Sequence, residues 1–147
     1  MGARTSAREA ALQMLFAVEA TAAAPAQVLR DFWREFPGDA EGRPYSEAIV
    51  QGVVAERIAL DERISRASEH WRLSRMTRVD RNVLRLGAWE LLHEVETPRA
   101  VILDEAVELA KRFGTEDSGA FVNGVLGRVA DDCGRLAEPA HPGSRGS

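Results

Sequence analysis

The stretch VILDEAVELAKRFG, residues 101–114, followed by TEDSGAFVNGVL, residues 115–126, decides the fold of this chain. Its apolar residues recur three and four positions apart, the spacing that places side chains on one face of an α-helix. Gly114 interrupts the pattern, and glycine is the residue best suited to a left-handed position just after a helix. We therefore predict two helices joined by a glycine turn, with Gly114 in the left-handed conformation.

The same helical spacing extends through most of the chain, and no strand hairpin pattern accompanies it. Segments rich in proline and glycine separate the helical stretches. A short turn or a single helical turn is expected at residues 71–74. The predicted helices cover residues 6–19, 26–36, 45–68, 77–97, 100–113 and 116–133.

Several helix ends carry residues that suit capping. Thr5 or Ser6 is expected to cap the first helix. Thr77, followed three residues later by Asp80, is close to a capping box and opens the fourth. Asp117 falls in the first turn of the last helix, where the helix dipole favours acids.

These patterns predict an all-α fold of six to seven helices in two three-helix subbundles that share a core. We expect residues 1–133 to form one domain, because 147 residues suffice for a single core. Residues 134–147 are rich in proline, glycine and serine, and we predict a disordered C-terminal tail there.

Composition excludes several classes of protein. No apolar run is long enough to span a membrane, and the N-terminus lacks the apolar core of a signal peptide. The single cysteine, Cys133, excludes an internal disulfide. A cytoplasmic protein is expected. The net charge of −4 argues mildly against nucleic-acid binding, although 18 of the 19 basic residues are arginines, which suit phosphate.

No pattern points to catalysis. The chain has no glycine-rich phosphate loop and no nucleophile elbow. His70, His93 and His141 are scattered, and neither they nor Cys133 has the spacing of a metal site. We predict a protein that is not an enzyme and that needs no metal or cofactor.

Two sets of residues are candidates for binding RNA. Arg4 and Arg8 precede Phe16, and single-stranded RNA is bound by cations for its phosphates and rings for its bases. The alternative is that Arg8 is a solvated charge and Phe16 a core residue. A second set at helical spacing could form a positive stripe or an ordinary solvated face, and it comprises Arg75, Arg78, Arg81 and Arg85.

Phe121 and Asn123 complete the candidates. Phe121 could pack in the core or present its ring at the surface. Asn123 is a poor residue for the interior of a helix, so we expect it to make a specific hydrogen bond, either within the fold or to a partner.

Three segments together resemble the NusB family of transcription antitermination proteins: AREAALQMLF at residues 7–16, VDRNVLRL at 79–86, and the block at 105–126. The resemblance implies an all-helical, non-catalytic protein of two subbundles. It also implies binding to the boxA element of nascent ribosomal RNA together with NusE, a small-subunit ribosomal protein, within the antitermination complex of RNA polymerase.

The resemblance also assigns residues to these roles. The implied RNA-binding residues are Arg4, Arg8, Phe16, Asp117 and Phe121. The implied partner-binding residues are Phe16, Asp80, Glu116 and Ser118. The chain departs from the family in having a sparse arginine arm and in having Gly119 and Ala120 where a basic residue is common. We therefore expect weak RNA binding alone and strong dependence on NusE, because each lost phosphate contact weakens binding.

Two other interpretations compete with this one. A similar helical domain precedes the catalytic domain of ribosomal RNA cytosine methyltransferases. Those enzymes need a Rossmann-like domain with a methyl-donor site, and these 147 residues contain no pattern of one. The second alternative is a protein-interaction module that forms a homodimer and masks its RNA surface.

Overall fold

The computed structural model describes residues 2–38, 40–69 and 71–135. Within these residues it contains seven α-helices, two short 3-10 turns and no strands, which confirms the predicted all-α fold. The helices are α1 (Ala3–Ala20), α2 (Pro25–Glu35), α3 (Arg43–Ala55), α4 (Arg57–Ala67), α5 (Arg78–His93), α6 (Arg99–Phe113) and α7 (Ser118–Asp132). The 3-10 turns cover Ala40–Gly42 and Leu73–Arg75.

The helices form two groups. α1, α2 and α3 pack against one another, and α5, α6 and α7 form the second group, with α4 packed against α5 and α7. α5 also contacts α1 and α3, so it joins the two groups into one core. Fully buried side chains from six helices meet there, among them Leu12, Ile49, Leu60, Leu84, Ile102 and Leu126.

α5 is surrounded by the rest of the protein. Its ten consecutive residues from Asn82 to Leu91 are all buried. A surface helix normally buries only one face, so a helix buried on every side must be apolar or must find partners for its polar groups. Asn82, Arg85 and Glu90 are the polar and charged residues within this stretch.

Carboxylates from α1 and α4 neutralise the first half of α5. Arg85 Nε donates to Asp61 Oδ1 of α4 at 2.7 Å, and Arg85 Nη1 donates to Glu19 Oε2 of α1 at 3.2 Å. Arg81 Nε donates to the same Glu19 oxygen at 2.6 Å. Asn82 Nδ2 donates to the backbone carbonyl of Arg78 at 3.0 Å and to Glu19 Oε1 at 3.3 Å. Arg81 and Arg85 therefore belong to an internal network, and neither a solvated face nor a phosphate-binding stripe describes them.

One predicted helix is divided in two. The predicted helix at residues 45–68 breaks at Glu56, where the backbone leaves the helical conformation with φ −110° and ψ 16°. The break lets Leu60 and Ile64 of α4 enter the core while the neighbouring Ile58 is 86% exposed. No proline or glycine stands at the break, and the helical spacing runs through it.

Helix ends were predicted with mixed success. Thr77 caps α5 as predicted, since its Oγ1 accepts from the backbone N–H of Asp80 at 3.1 Å. The predicted cap at Thr5 or Ser6 is wrong, because α1 begins at Ala3 and both residues lie inside it. The left-handed Gly114 is also wrong, because its φ is −105°.

The C-terminal end of the described chain is anchored. Arg135 Nη1 donates to the backbone carbonyl of Leu91 at 2.8 Å, which satisfies a carbonyl near the end of α5. The predicted disordered tail falls almost wholly on residues 136–147, which lie outside the described residues. In the described part of the chain no helix combines the length and apolarity that crossing a bilayer requires.

The Glu19 network predicts a dependence of stability on pH. Partial burial acts to raise the pKa of Glu19, but hydrogen bonds and charge from Arg81 and Arg85 outweigh it and lower the pKa. A carboxyl whose pKa is lowered by folding stabilises the fold above its unfolded value, about 4.3, and that stabilisation is lost as the pH falls through the folded pKa.

We expect Glu19→Gln to reduce the free energy of unfolding by about 1.5–3 kcal/mol at pH 7, the usual range for hydrogen bonds to charged groups. The difference from the parent should shrink as the pH is lowered below about 4.3. Urea denaturation across this range measures it, with the exposed Glu62→Gln as control. An undiminished difference at low pH would contradict the assignment.

Candidate functional site

A groove of about 400 Å³ lies where the start of α5 meets the start of α7. It brings together Asp80, Asp117 and Phe121, three of the residues that the sequence analysis assigned to binding. Its full lining is Trp71, Arg75, Met76, Thr77, Asp80, Asp117 and Phe121. Aromatic rings, a guanidinium group and two carboxylates therefore face one space.

Asp80 is positioned by the first turn of α5. The Thr77 cap fixes its backbone N–H. Its Oδ1 atom is buried and has no hydrogen-bond partner among the described residues. An unsatisfied buried acceptor is costly to the fold.

The turn before α7 sets the position of Asp117. Ser118 Oγ accepts from the backbone N–H of Thr115 at 3.0 Å, and Ser118 is buried. A Cβ at Gly114 would lie 2.4 Å from Ser118 Oγ, so close approach, and not a left-handed backbone, requires glycine there. Glu116 and Asp117 are exposed on the outside of this turn. Ser118 therefore shapes the turn from within, and only its neighbours present charge at the surface.

Phe121 lies one turn further along α7. It is half-buried and packs against the core, so its ring is partly a core residue and partly exposed at the surface, and each of the two predicted alternatives is correct in part. It lines the first groove and also a second one, of about 330 Å³, on the side of Ala67 and Gly124. Asn123 is exposed, and within the described chain its side chain makes no hydrogen bond, so the predicted specific bond within the fold is wrong.

Arg8 is buried in the first group of helices. It is 3% exposed, and its Nε donates to Glu90 Oε2 of α5 at 2.8 Å. Its Nη1 lies 3.4 Å from Glu105 Oε1 of α6, and the hydroxyl of Tyr45 donates to Glu90 from the other side. A phosphate could reach Arg8 only if this ion pair opened. The predicted role of Arg8 in RNA binding therefore does not enter our proposal.

The protonation of this cluster follows from burial and charge. Burial is the largest influence on Glu90 and raises the pKa of its carboxyl, against the opposing effects of Arg8 and Tyr45. Burial also acts to lower the pKa of Arg8, but the charges of Glu90 and its neighbours outweigh it and raise that pKa. The pKa of the Tyr45 hydroxyl is raised, first by burial and then by Glu90. Arg8 thus remains charged, and its charge is used inside the protein.

The other two predicted residues of α1 lie apart from the groove. Arg4 is exposed, but its Nη1 donates to Glu94 Oε1 at 3.1 Å and its guanidinium carbon lies 3.8 Å from the centre of the Tyr45 ring. Phe16 is half-buried against the core. Neither residue lines the grooves beside Phe121.

Sequence reasoning missed Trp71 as a site residue, and considered Arg75 only as part of a stripe. The stripe divides in the structure: Arg75 lines the groove, while Arg81 and Arg85 turn inward. As for metals, the residues that the structure describes contain no group of three or more histidine, cysteine, aspartate or glutamate side chains able to hold an ion.

The profile of the NusB family matches residues 5–131 of the chain. The transcription antitermination protein NusB of Sorangium cellulosum is 65% identical over 136 residues, which cover 92% of this chain and 97% of that protein. The NusB protein of Myxococcus xanthus is 46% identical over 134 residues, covering 88% and 96%.

Solved structures agree with these matches. T. maritima NusB superimposes with a TM-score of 0.81 at 40% identity, covering 88% of this chain and 91% of that one. A crystal structure of antitermination factors NusB and NusE in complex with dsRNA gives a TM-score of 0.81 at 26% identity, covering 90% and 98%.

The burial of Arg8 makes its removal a test of stability. We expect Arg8→Met to lower the free energy of unfolding by roughly 3–5 kcal/mol at neutral pH, because Glu90 would be left buried without its counter-charge. The loss should diminish at lower pH as Glu90 takes up a proton. Chemical denaturation measures both effects. Arg4→Met is the matched control, because its exposed ion pair contributes about 0–1 kcal/mol. Equal effects of the two substitutions would contradict a structural role for Arg8.

Proposed function

The chain belongs to the NusB family of transcription antitermination proteins, and we propose that it binds the boxA element of nascent ribosomal RNA as a heterodimer with the small-subunit ribosomal protein NusE. Through this heterodimer it would join the antitermination complex of RNA polymerase, in the cytoplasm. We propose that it does so by binding alone, without catalysis and without a cofactor.

The groove at the start of α5 and α7 carries this proposal. The family resemblance assigned Asp80, Asp117 and Phe121 to RNA and partner binding from separate segments of sequence, and these residues line one groove. Glu116 is exposed in the turn beside them. The similarity to a NusB protein crystallised with NusE and dsRNA supports NusE and RNA as partners.

The charge distribution of the chain favours an RNA-binding site that is shared with NusE. The chain carries a net charge of −4, and the two arginines of its N-terminal arm, Arg4 and Arg8, are ion-paired with Glu94 and Glu90. Few cations are therefore free for phosphate, and salt-dependent affinity depends on their number. A basic partner would supply the missing charge, and RNA and NusE would then strengthen each other's binding to the same extent.

We expect the isolated protein to bind boxA RNA weakly at physiological salt, and the affinity to rise when NusE from the same source is added. Fluorescence anisotropy of labelled boxA RNA, with a scrambled RNA as control, measures both affinities. Tight binding by the isolated protein would contradict the dependence on NusE. Equal affinity for the two RNAs in the presence of folded NusE would contradict the proposed function.

The homodimer alternative has its own outcome. Light scattering of the protein alone, with RNA and with NusE gives its mass in solution under each condition. A dimer that neither NusE nor RNA dissociates would favour an interaction module whose RNA surface is masked.

Asp117 provides a sharper test of the groove. Its carboxylate is exposed and accepts no hydrogen bond from the α7 backbone, so its contribution to the fold is limited to the helix dipole. Near RNA it would repel phosphate. We expect Asp117→Asn to strengthen RNA binding and to cost about 0.3–1 kcal/mol of stability.

The matched control for Asp117→Asn is Asp132→Asn, which makes the same chemical change at an exposed residue near the other end of α7 that does not line the groove. Anisotropy titration and urea denaturation of both variants complete the test. Unchanged or weaker RNA binding by the Asp117 variant would argue against its position facing the RNA.

A further inference from the structure

In the segment between α4 and α5, hydrogen bonds of the backbone present the exposed side chains of Trp71, Arg72 and Arg75. Leu73 and Met76 are three residues apart and point inward, as the period of a 3-10 turn allows. Trp71, Arg72 and Arg75 lie on the outside. Hydrogen bonds hold the segment in place: the Trp71 N–H donates to the Ser68 carbonyl at 3.1 Å, and the Arg75 N–H to the Arg72 carbonyl at 2.9 Å.

Trp71 differs from the other two tryptophans. Its side chain is 56% exposed, whereas Trp89 is 8% exposed and Trp33 is half-buried with its Nε1 donating to Glu47. Trp71 lines both grooves that flank Phe121. The fold thus leaves a large aromatic surface open between two concave spaces, where it does not contribute to the core.

Arg72 and Arg75 are also unusual. In the described part of the chain, their guanidinium groups have no ion pair, hydrogen bond or ring contact, and the same holds for Arg57 and Arg63 of α4. Most other arginines there are engaged, including both of the N-terminal arm. The positive charge that remains free beside the candidate site therefore lies in the segment Trp71–Arg75.

Exposed rings flanked by free cations are the chemistry that binds single-stranded nucleic acid, because every base can stack and every phosphate is anionic. We propose that Trp71 stacks on a base of single-stranded RNA and that Arg72 and Arg75 bind the adjacent phosphates. This inference deepens the proposed function and rests on it for the identity of the RNA.

The carboxylates of the groove influence where the phosphates of the RNA lie. Arg75 lines the same groove as Asp80 and Asp117, whose carboxylates repel phosphate. The phosphates therefore lie closest to the guanidinium groups of Arg72 and Arg75, and the base lies closer to the carboxylates. Carboxylate oxygens accept hydrogen bonds from amino and imino groups of bases.

The test uses the full chain and a labelled 12-nucleotide oligouridine at low salt, so that neither NusE nor the boxA sequence is needed. We expect Trp71→Ala to weaken binding roughly 5- to 150-fold, the range for loss of one stacked base. Trp71→Phe should recover much of the loss, because a phenyl ring also stacks. Since Trp71 is exposed, urea denaturation should find both variants folded.

The two arginines are tested through salt dependence. Arg72→Gln with Arg75→Gln should reduce the slope of log affinity against log salt by about 1.4, because each phosphate contact on a single strand contributes about 0.7. Arg57→Gln with Arg63→Gln is the matched control, since it removes the same charge from two unpaired arginines that line neither groove beside Phe121. That control should leave the slope unchanged.

Each contrary result overturns the inference in a different way. If the two double variants changed the salt slope equally, general electrostatic attraction would explain the binding and the specific role of Arg72 and Arg75 would be refuted. Absence of oligouridine binding by the parent would refute the whole inference. A separate titration with NusE covers the remaining case: variants that bind oligouridine like the parent but bind NusE more weakly would refute the inference and make the segment a protein-docking site. The proposed function fails separately, if boxA and scrambled RNA bind the heterodimer equally.

Discussion

The structure depends on the need to satisfy the polar groups of α5 inside the core. The helix is buried from Asn82 to Leu91, yet it carries an arginine and a glutamate there. A buried charge is tolerated only when it is paired and hydrogen-bonded. Glu19 and Asp61 meet Arg85, and Arg8 meets Glu90. These pairs fix α1 and α4 against α5 in one register, which nonspecific apolar packing would leave open.

The same requirement determines which charges are available for binding. Arg8 and Arg85 are used in the interior, and Arg4 is held at the surface by Glu94. Of the four arginines that are unpaired in the described part of the chain, Arg72 and Arg75 lie beside the exposed ring of Trp71, and Arg57 and Arg63 lie on α4. The fold thus leaves two free cations next to an aromatic surface, where the two carboxylates of the groove repel phosphate.

The local sequence pattern was sufficient to predict most of the helices, but it predicted few of the residues that line the site. The spacing of apolar residues predicted α6 and α7, and Thr77 predicted the start of α5, because both depend on neighbours in sequence. The break at Glu56 has no local signal, since only the positions of Leu60 and Ile64 in the assembled core require it. The position of Gly114 was predicted correctly but for the wrong reason, because a Cβ there would clash with Ser118 and with the Ala110 carbonyl oxygen, and no left-handed backbone is involved.

The site residues show the same limit. Arg8 was assigned to the surface because its partner lies 82 residues away, and no spacing rule reaches that far. Asp80, Asp117 and Phe121 were singled out by family resemblance, and physical reasoning alone left Phe121 undecided. Trp71 was overlooked because the exposure of its side chain depends on the 3-10 turn that follows it, which the spacing of residues in the sequence does not reveal.

The separation of Arg8 from Glu90 has a consequence for the synthesis of the chain. When α1 leaves the ribosome, the carboxylate that neutralises its buried arginine has not yet been made. At roughly 5–20 residues per second, synthesis from Arg8 to Glu90, 82 positions later, takes on the order of 4–16 s. During that time the nascent N-terminal helix lacks its counter-charge, although α2 and α3, against which it packs, are made earlier. It therefore completes its folding only after the central helix has emerged, so that the first segment synthesised is not the first to become native.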